Sequence, residues 1–281
     1  MSLPASPSPS APVRIAAVQT VSGPDVAENL RVAGELIAEA AGGGAQLVAL
    51  PEYFPLITAD EMAKVAVREA DGRGPLQDFL RETAARHGIW LVGGTIPLVA
   101  SVDGKVRNST LVYDSRGERV ARYDKIHLFG FQKGSERYDE AATIEAGREV
   151  VTFDAPCGRV GLSVCYDLRF PELFRAMGAV DLIVLPAAFT YTTGRDHWEV
   201  LLRARAIENQ CYVMAPAQGG RHPSGRVTWG HTLIADPWGQ ILACRDEGPG
   251  VVWADVEPER IAAVRDSLPA LRHRCLDVAG R

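Results

Sequence analysis

A strand and helix alternation that begins near the N-terminus and then repeats is the feature that most narrows what this chain can fold into. Residues 13–19, Val-Arg-Ile-Ala-Ala-Val-Gln, form a β-branched apolar run that reads as a strand. Asp25 and Glu28 follow with capping-box spacing, ahead of Val26, Leu30, Ala33 and Ile37 at helical intervals. Gly42-Gly43-Gly44 closes that helix, since glycine tolerates a left-handed C-cap, and residues 46–50 read as a buried strand. The unit repeats with a helix from about 75 to 86, carrying Leu76, Phe79, Leu80 and Ala84 on one face, and a strand at 89–94. Shorter strands are predicted at 109–113 and 120–124 around a turn containing Gly117, and residues 129–147 read as polar and irregular. Alternation then resumes: strands at 150–153 and 160–164, a short helix at 171–177, and a strand at 182–185. Capping-box spacing from Asp196 to Glu199 opens a helix that ends near Asn209. Strands at 211–215, 232–235 and 251–256 and a helix over 257–266 complete the pattern. Such alternation defines an α/β fold. With no linker and no short-period repeat, it predicts one domain over 13–281. Residues 1–12, rich in Ser, Pro and Ala, read as a disordered lead-in without the basic start and apolar stretch of a secretory signal.

Composition excludes several function classes. Across 281 residues, 47% are hydrophobic and 23% charged, which matches a globular core and rules out a disordered or collagen-like chain. A net charge of -5 offers no global positive field to a phosphate backbone, so no nucleic-acid partner is expected. No apolar run approaches the roughly 20 residues that span a bilayer, so none is expected to insert in a membrane. Cys157, Cys165, Cys211, Cys244 and Cys275 are odd in number and contain no Cys-x-x-Cys pair. That is the usage of a reducing compartment, and the expected location is cytoplasmic, with no zinc site. Asn108-Ser109-Thr110 matches a glycosylation acceptor formally, but nothing else argues for secretion.

The sharpest local signal is Gly161-Leu162-Ser163-Val164-Cys165-Tyr166-Asp167-Leu168-Arg169-Phe170-Pro171-Glu172-Leu173, a strand that delivers Cys165 to a turn just before helix. At such an elbow the thiol faces outward, nearby helix N–H groups favour its thiolate, and the Tyr166 N–H can donate to an oxyanion. The plainer reading is a small buried hydrophobe, which is how the other four cysteines are read. Two carboxylates are candidate bases: Glu52, at the end of a buried strand in Leu50-Pro51-Glu52-Tyr53, and Glu140 in the irregular stretch; each could equally be a solvated loop acid. Lys125, in Tyr123-Asp124-Lys125-Ile126-His127, is either a snorkelling surface lysine or a cation for an oxyanion. His127 or His197 could pair with Cys165 as in a thiol peptidase, but no matching local signature accompanies them, and a structural role is favoured.

Taken in order, Leu50-Pro51-Glu52, Tyr123-Asp124-Lys125-Ile126-His127 and the cysteine elbow resemble the nitrilase superfamily of carbon–nitrogen hydrolases, over the chain from about Val13 to Val256. The resemblance implies a single-domain α-β-β-α sandwich, a homodimer or higher homo-oligomer, and a Glu, Lys, Cys triad that needs no cofactor and no metal. Those roles fall on Glu52, Lys125 and Cys165, and a second family glutamate falls on Glu140, where Ala141 departs from the Ser or Thr common in the family. Tyr166-Asp167, in place of the Trp-Glu of true nitrilases, points to amides rather than nitriles. The stretch His197-Trp198-Glu199-Val200-Leu201-Leu202-Arg203-Ala204-Arg205-Ala206-Ile207-Glu208-Asn209-Gln210 is similar to the Nit-type branch, as are Gly220-Arg221-His222 and Gly230-His231 near Asp236-Pro237-Trp238-Gly239.

That branch implies a small ω-amide of a dicarboxylic acid as substrate, deaminated glutathione ahead of α-ketoglutaramate and both ahead of nitriles. In the implied reaction Glu52 deprotonates Cys165, Lys125 and the Tyr166 N–H hold the oxyanion, and Glu140 orients substrate or assists proton transfer. Phe189 and Thr190, after the strand at 182–185, are candidate pocket walls. Arg195, expected in a loop before the helix at Asp196, is the first candidate for the substrate carboxylate, with Arg221 and Lys133 as alternatives. The rival readings are a thiol peptidase and a non-catalytic binding protein in which Cys165 is simply packed.

Overall fold

The computed structural model describes residues 11–134 and 136–276, so most of the lead-in expected at 1–12 and residues 277–281 lie outside the described residues. Two β-sheets face each other. The first is ordered Gly250–Val256, Val13–Gln19, Leu47–Ala49, Trp90–Val92, Val106–Tyr113, Ile96–Val99, with Arg119–Asp124 also paired to Val106–Tyr113. The second is ordered Ile241–Arg245, Thr232–Ala235, Tyr212–Ala215, Leu182–Val184, Gly158–Leu162, Thr152–Ala155. The centre of each sheet is parallel, because its strands are joined by crossovers through helices.

Strand period sorts the apolar residues into layers. Along Val13–Gln19, Ile15 and Ala17 point between the sheets, whereas Ala16 and Val18 point at the helices Val26–Gly42 and Pro75–His87. A strand buried on both faces must be apolar throughout, which is why residues 13–19 show a run instead of an alternation. The far face of the second sheet is covered by the helices Pro171–Ala176 and Tyr191–Asn209, the latter through Trp198, Leu202 and Ala206. The chain is therefore an α-β-β-α sandwich. Local signals behave as their chemistry requires: Asp25 accepts from the Glu28 N–H at 3.1 Å, and Gly88 closes the second helix at φ 63°. Among the described residues no helix is long and apolar enough to cross a membrane.

Several stretches depart from expectation, among them the sheet strands Ile96–Val99 and Ile241–Arg245 and the hairpin Gly219–Arg221 with Val227–Trp229, none of which the sequence pattern predicts. The segment read as irregular contains a hairpin, Gly130–Lys133 with Glu136–Asp139, that leads into a helical turn, Glu140–Ala142. Its strands are half-exposed, so burial imposes no apolar pattern for a reader to detect. The helix expected to open at Asp196 begins at Tyr191 instead. Gly194, which looks like a breaker, is a close approach: a Cβ there would lie 2.3 Å from the Cβ of Trp229. The Trp229 ring stacks on His231 with centroids 4.2 Å apart and has little room to retreat. Gly194→Ala is therefore expected to destabilise the fold by about 1–3 kcal/mol despite the higher helix propensity of alanine, measured by urea unfolding. A stabilised variant would contradict that packing.

Candidate active site

Three strand ends and one hairpin converge at one edge of the sandwich. Cys165 follows Gly158–Leu162 and sits at φ 48°, a left-handed conformation that is strained for a side chain bearing Cβ. Its N–H donates to the Pro186 carbonyl at 2.9 Å, and the chain then turns through the short helix Cys165–Arg169. Asp167 holds this elbow. Its buried carboxylate accepts from the Val164 N–H at 2.8 Å, the Tyr123 hydroxyl at 2.6 Å and the His127 N–H at 3.1 Å, and contacts His127 Nδ1 at 2.7 Å. Asp167 thus locks the cysteine turn to the Tyr123–His127 segment that carries Lys125.

Lys125 is fully enclosed. Its Nζ donates to Glu52 Oε1 at 2.9 Å and to Glu140 Oε1 and Oε2 at 2.9 and 2.8 Å. Glu52 is buried too; its Oε1 also accepts from Asn108 Nδ2 at 2.9 Å, and its Oε2 accepts from the Ala188 N–H at 2.9 Å. Glu140 additionally accepts from the Tyr53 hydroxyl at 2.8 Å and the Phe129 N–H at 2.7 Å. Ala141 is exposed, and the donors to Glu140 come from Lys125, Tyr53 and Phe129, so the departure at that position leaves them in place. The solvated-acid and surface-lysine readings of Glu52, Glu140 and Lys125 are thereby overturned.

Charge follows from this packing. Burial opposes the Lys125 ammonium, but Glu140 and Glu52 outweigh it and hold the amine well above its ordinary pKa. Burial likewise opposes the Glu140 carboxylate, and Lys125 with the Phe129 and Tyr53 bonds brings it below the usual glutamate value. Burial, joined by the Glu52 charge, pushes the Cys165 thiol well above its ordinary value, with Lys125 offsetting only part. The expected thiolate at the elbow is corrected accordingly: the resting group is a neutral thiol, because a one-turn helix N-terminus does not compensate desolvation in a pocket that already holds two carboxylates. Cys157 and Cys211 are also buried and pushed up to about 12, and both belong to the core.

Cys165 and Glu52 open onto a small cavity, which Glu140, Tyr166, Phe189, Thr190 and Arg226 also line. Phe189 and Thr190, expected as pocket walls, are thus among the lining residues. The three expected carboxylate partners are not. Arg195 lies inside the helix, exposed and paired with Asp196 at 3.2 Å, and Arg221 and Lys133 are exposed on hairpins outside that cavity. His127 is held by Asp167, and His197 contacts Arg169 at 3.2 Å, so neither histidine takes part in the cluster around Cys165. The glycosylation match fails as well, since Asn108 is buried against Glu52. Tyr53, Asn108, Asp167 and Arg226 were not singled out in the sequence as members of this site, because their roles come from tertiary contacts that the local sequence does not show.

A cysteine at a strained elbow lines one cavity with a buried carboxylate that is paired to an ammonium, an arrangement open to thiol chemistry. The carbon–nitrogen hydrolase family model matches residues 14–266, and the chain belongs to the carbon–nitrogen hydrolase family. Deaminated glutathione amidase of Synechocystis sp. is 44% identical over 94% of this chain and 98% of its own length. The Xenopus tropicalis protein Omega-amidase NIT2 is 37% identical, over 94% and 96% respectively. Among solved structures, Saccharomyces cerevisiae Nit3, a member of branch 10 of the nitrilase superfamily, superposes with a TM-score of 0.85 at 31% identity, covering 97% of this chain and all of that one.

Proposed function

We propose that the chain is an amidase that cleaves the ω-amide of a small dicarboxylic acid through a thioester on Cys165. Deaminated glutathione is the first substrate and α-ketoglutaramate the second. The observation that carries this reading is the position of Cys165, at φ 48° in the same cavity as Glu52, whose carboxylate bridges Lys125 and the Ala188 N–H.

In the proposed reaction Glu52 accepts the Cys165 proton, which the raised thiol would otherwise keep at neutral pH. The sulfur bonds to the amide carbon, and the carbonyl π pair moves onto oxygen. An ammonium has three donors, so Lys125 can give one to each carboxylate and one to the oxyanion, joined there by the Tyr166 N–H. Collapse breaks the C–N bond, and the proton held by Glu52 passes to the departing nitrogen. Water then gives a proton to Glu52 while its oxygen bonds to the thioester carbon; the C–S bond breaks, the proton returns to sulfur, and a carboxylic acid leaves. Glu140 acts here as a positioning residue that fixes Lys125 and Tyr53. The free, odd-numbered cysteines suit a cytoplasmic enzyme, and the family likeness favours a homo-oligomer.

The test compares specificity constants for deaminated glutathione, α-ketoglutaramate, a neutral aliphatic amide and a simple nitrile under identical conditions. The two anionic amides are expected to lead. A neutral amide or a nitrile ahead by about tenfold or more would overturn the substrate assignment.

A further inference from the structure

Among the described residues Arg226 is the sole cation whose side chain lines the catalytic cavity, while the buried Lys125 is already paired with Glu52 and Glu140. It makes no ion pair among the described residues. Of the five N–H donors of a guanidinium, its Nη2 donates to the Ala188 carbonyl at 3.1 Å, while its Nε is enclosed by protein without a partner. A half-buried cation left this incompletely satisfied is costly unless something completes it.

Its placement relative to the nucleophile is fixed by a single residue, Ala188. The Ala188 N–H donates to Glu52 and lies against the Cys165 sulfur, and the Ala188 carbonyl accepts from Arg226. The guanidinium is thus held by the same residue that contacts the reacting atoms, on the side where the catalytic cavity meets a larger outer cavity of about 340 Å³. The loop that presents it is anchored internally. His222 is buried, with Nδ1 2.8 Å from the Ser22 carbonyl and Nε2 2.7 Å from Thr228 Oγ1, and its N–H donates to the Arg226 carbonyl at 2.9 Å. A tight turn closed by Gly225 at φ 86° brings the chain back, and the guanidinium is steadied over the Tyr138 ring at 5.4 Å.

Resting on the amidase reading above, we infer that Arg226 is the anion-reading residue of this cavity, taking the carboxylate at the end of the substrate opposite the scissile amide. The substrate class that fits is a short monoamide of a dicarboxylic acid, held by its amide at Cys165 and by its free acid at Arg226. A planar guanidinium suits a carboxylate because two N–H groups can meet two oxygens.

The experiment uses two readouts. First, glutaramate is compared with valeramide, which carries a methyl where glutaramate carries its carboxylate. Arg226→Gln is expected to lower the ratio of their specificity constants by about 30-fold or more, chiefly through the KM for glutaramate, with Arg226→Lys recovering part of it. Second, glutarate, which has no scissile bond, is titrated calorimetrically into Cys165→Ala and into Cys165→Ala with Arg226→Gln, and the second change should weaken binding by a similar factor. Thermal melts confirm that each variant is folded. A ratio that moves by less than about threefold, while wild-type protein cleaves both amides, would overturn the role of Arg226 and leave the amidase reading standing. Arg226-dependent glutarate binding in a protein that cleaves no amide would instead support the anion site and overturn the amidase reading.

Discussion

Cys165→Ala is expected to cut amide turnover by more than roughly 10,000-fold while costing about 1 kcal/mol or less in stability. Both expectations follow from the elbow. Replacing Cys165 removes one sulfur atom next to a cavity, so little packing is lost. The backbone at φ 48° is as strained for alanine as for cysteine, so the strain neither grows nor is relieved. A large activity loss with an unchanged melting curve separates a nucleophile from a packing residue, and thereby separates the hydrolase reading from a binding protein with a structural cysteine. Wild-type turnover by folded Cys165→Ala protein would remove the mechanism altogether.

Removing the central cation should be the most damaging change to stability. In a Lys125→Met protein the buried carboxylates of Glu52 and Glu140 would face each other without the ammonium that each now contacts within 2.9 Å. Breaking a buried pair in this way costs about 3–5 kcal/mol, and the lost oxyanion donor should reduce turnover by at least about 100-fold. The pH dependence has a definite sign. In the wild-type fold Glu140 is held below its ordinary value, so its ion pair stabilises the protein at neutral pH and is lost as the pH falls through that depressed value. Without Lys125, a carboxyl of the pair would be raised in the folded state, which favours folding in acid and penalises it as the pH rises. The stability gap between wild type and Lys125→Met should therefore be wider at pH 8 than at pH 5, read from denaturant midpoints at both. A gap that is equal or reversed would contradict the charge arrangement described for this cluster.

The sandwich was legible wherever burial imposed a pattern. The apolar run at 13–19, the Asp25 cap and the Gly42-Gly43-Gly44 stop each report a local physical demand, and the corresponding elements lie where those demands place them. The hairpin after Gly130 was not legible, because half-exposed strands need no alternation. The helix start at Tyr191 was hidden for a related reason: the contact that calls for glycine at Gly194 is with Trp229, far along the chain, and the local capping-box spacing pointed to Asp196. At the site, Glu52, Lys125 and Cys165 were singled out through strand ends together with a family likeness, since each in isolation has a plainer explanation. The residues that satisfy them were not found. Asn108 looked like a formal glycosylation acceptor and is a buried donor to Glu52, and Tyr53 looked like the residue after a strand and is a donor to Glu140. The error at Arg195 was one of helix register. Placing the helix start at Asp196 leaves Arg195 in a loop, whereas a start at Tyr191 turns it to solvent beside Asp196 and leaves the cavity to Arg226.

The most direct test of the central claim, that Cys165 forms a thioester with the acyl part of a small amide, is rapid acid quenching of the wild-type protein during steady-state turnover of an ω-amide, followed by intact and peptide mass spectrometry. An adduct of the acyl mass is expected on Cys165, labile to hydroxylamine and absent from Cys165→Ala. Turnover with no adduct on Cys165, or an adduct of the same lability on Cys244 or Cys275, would contradict it.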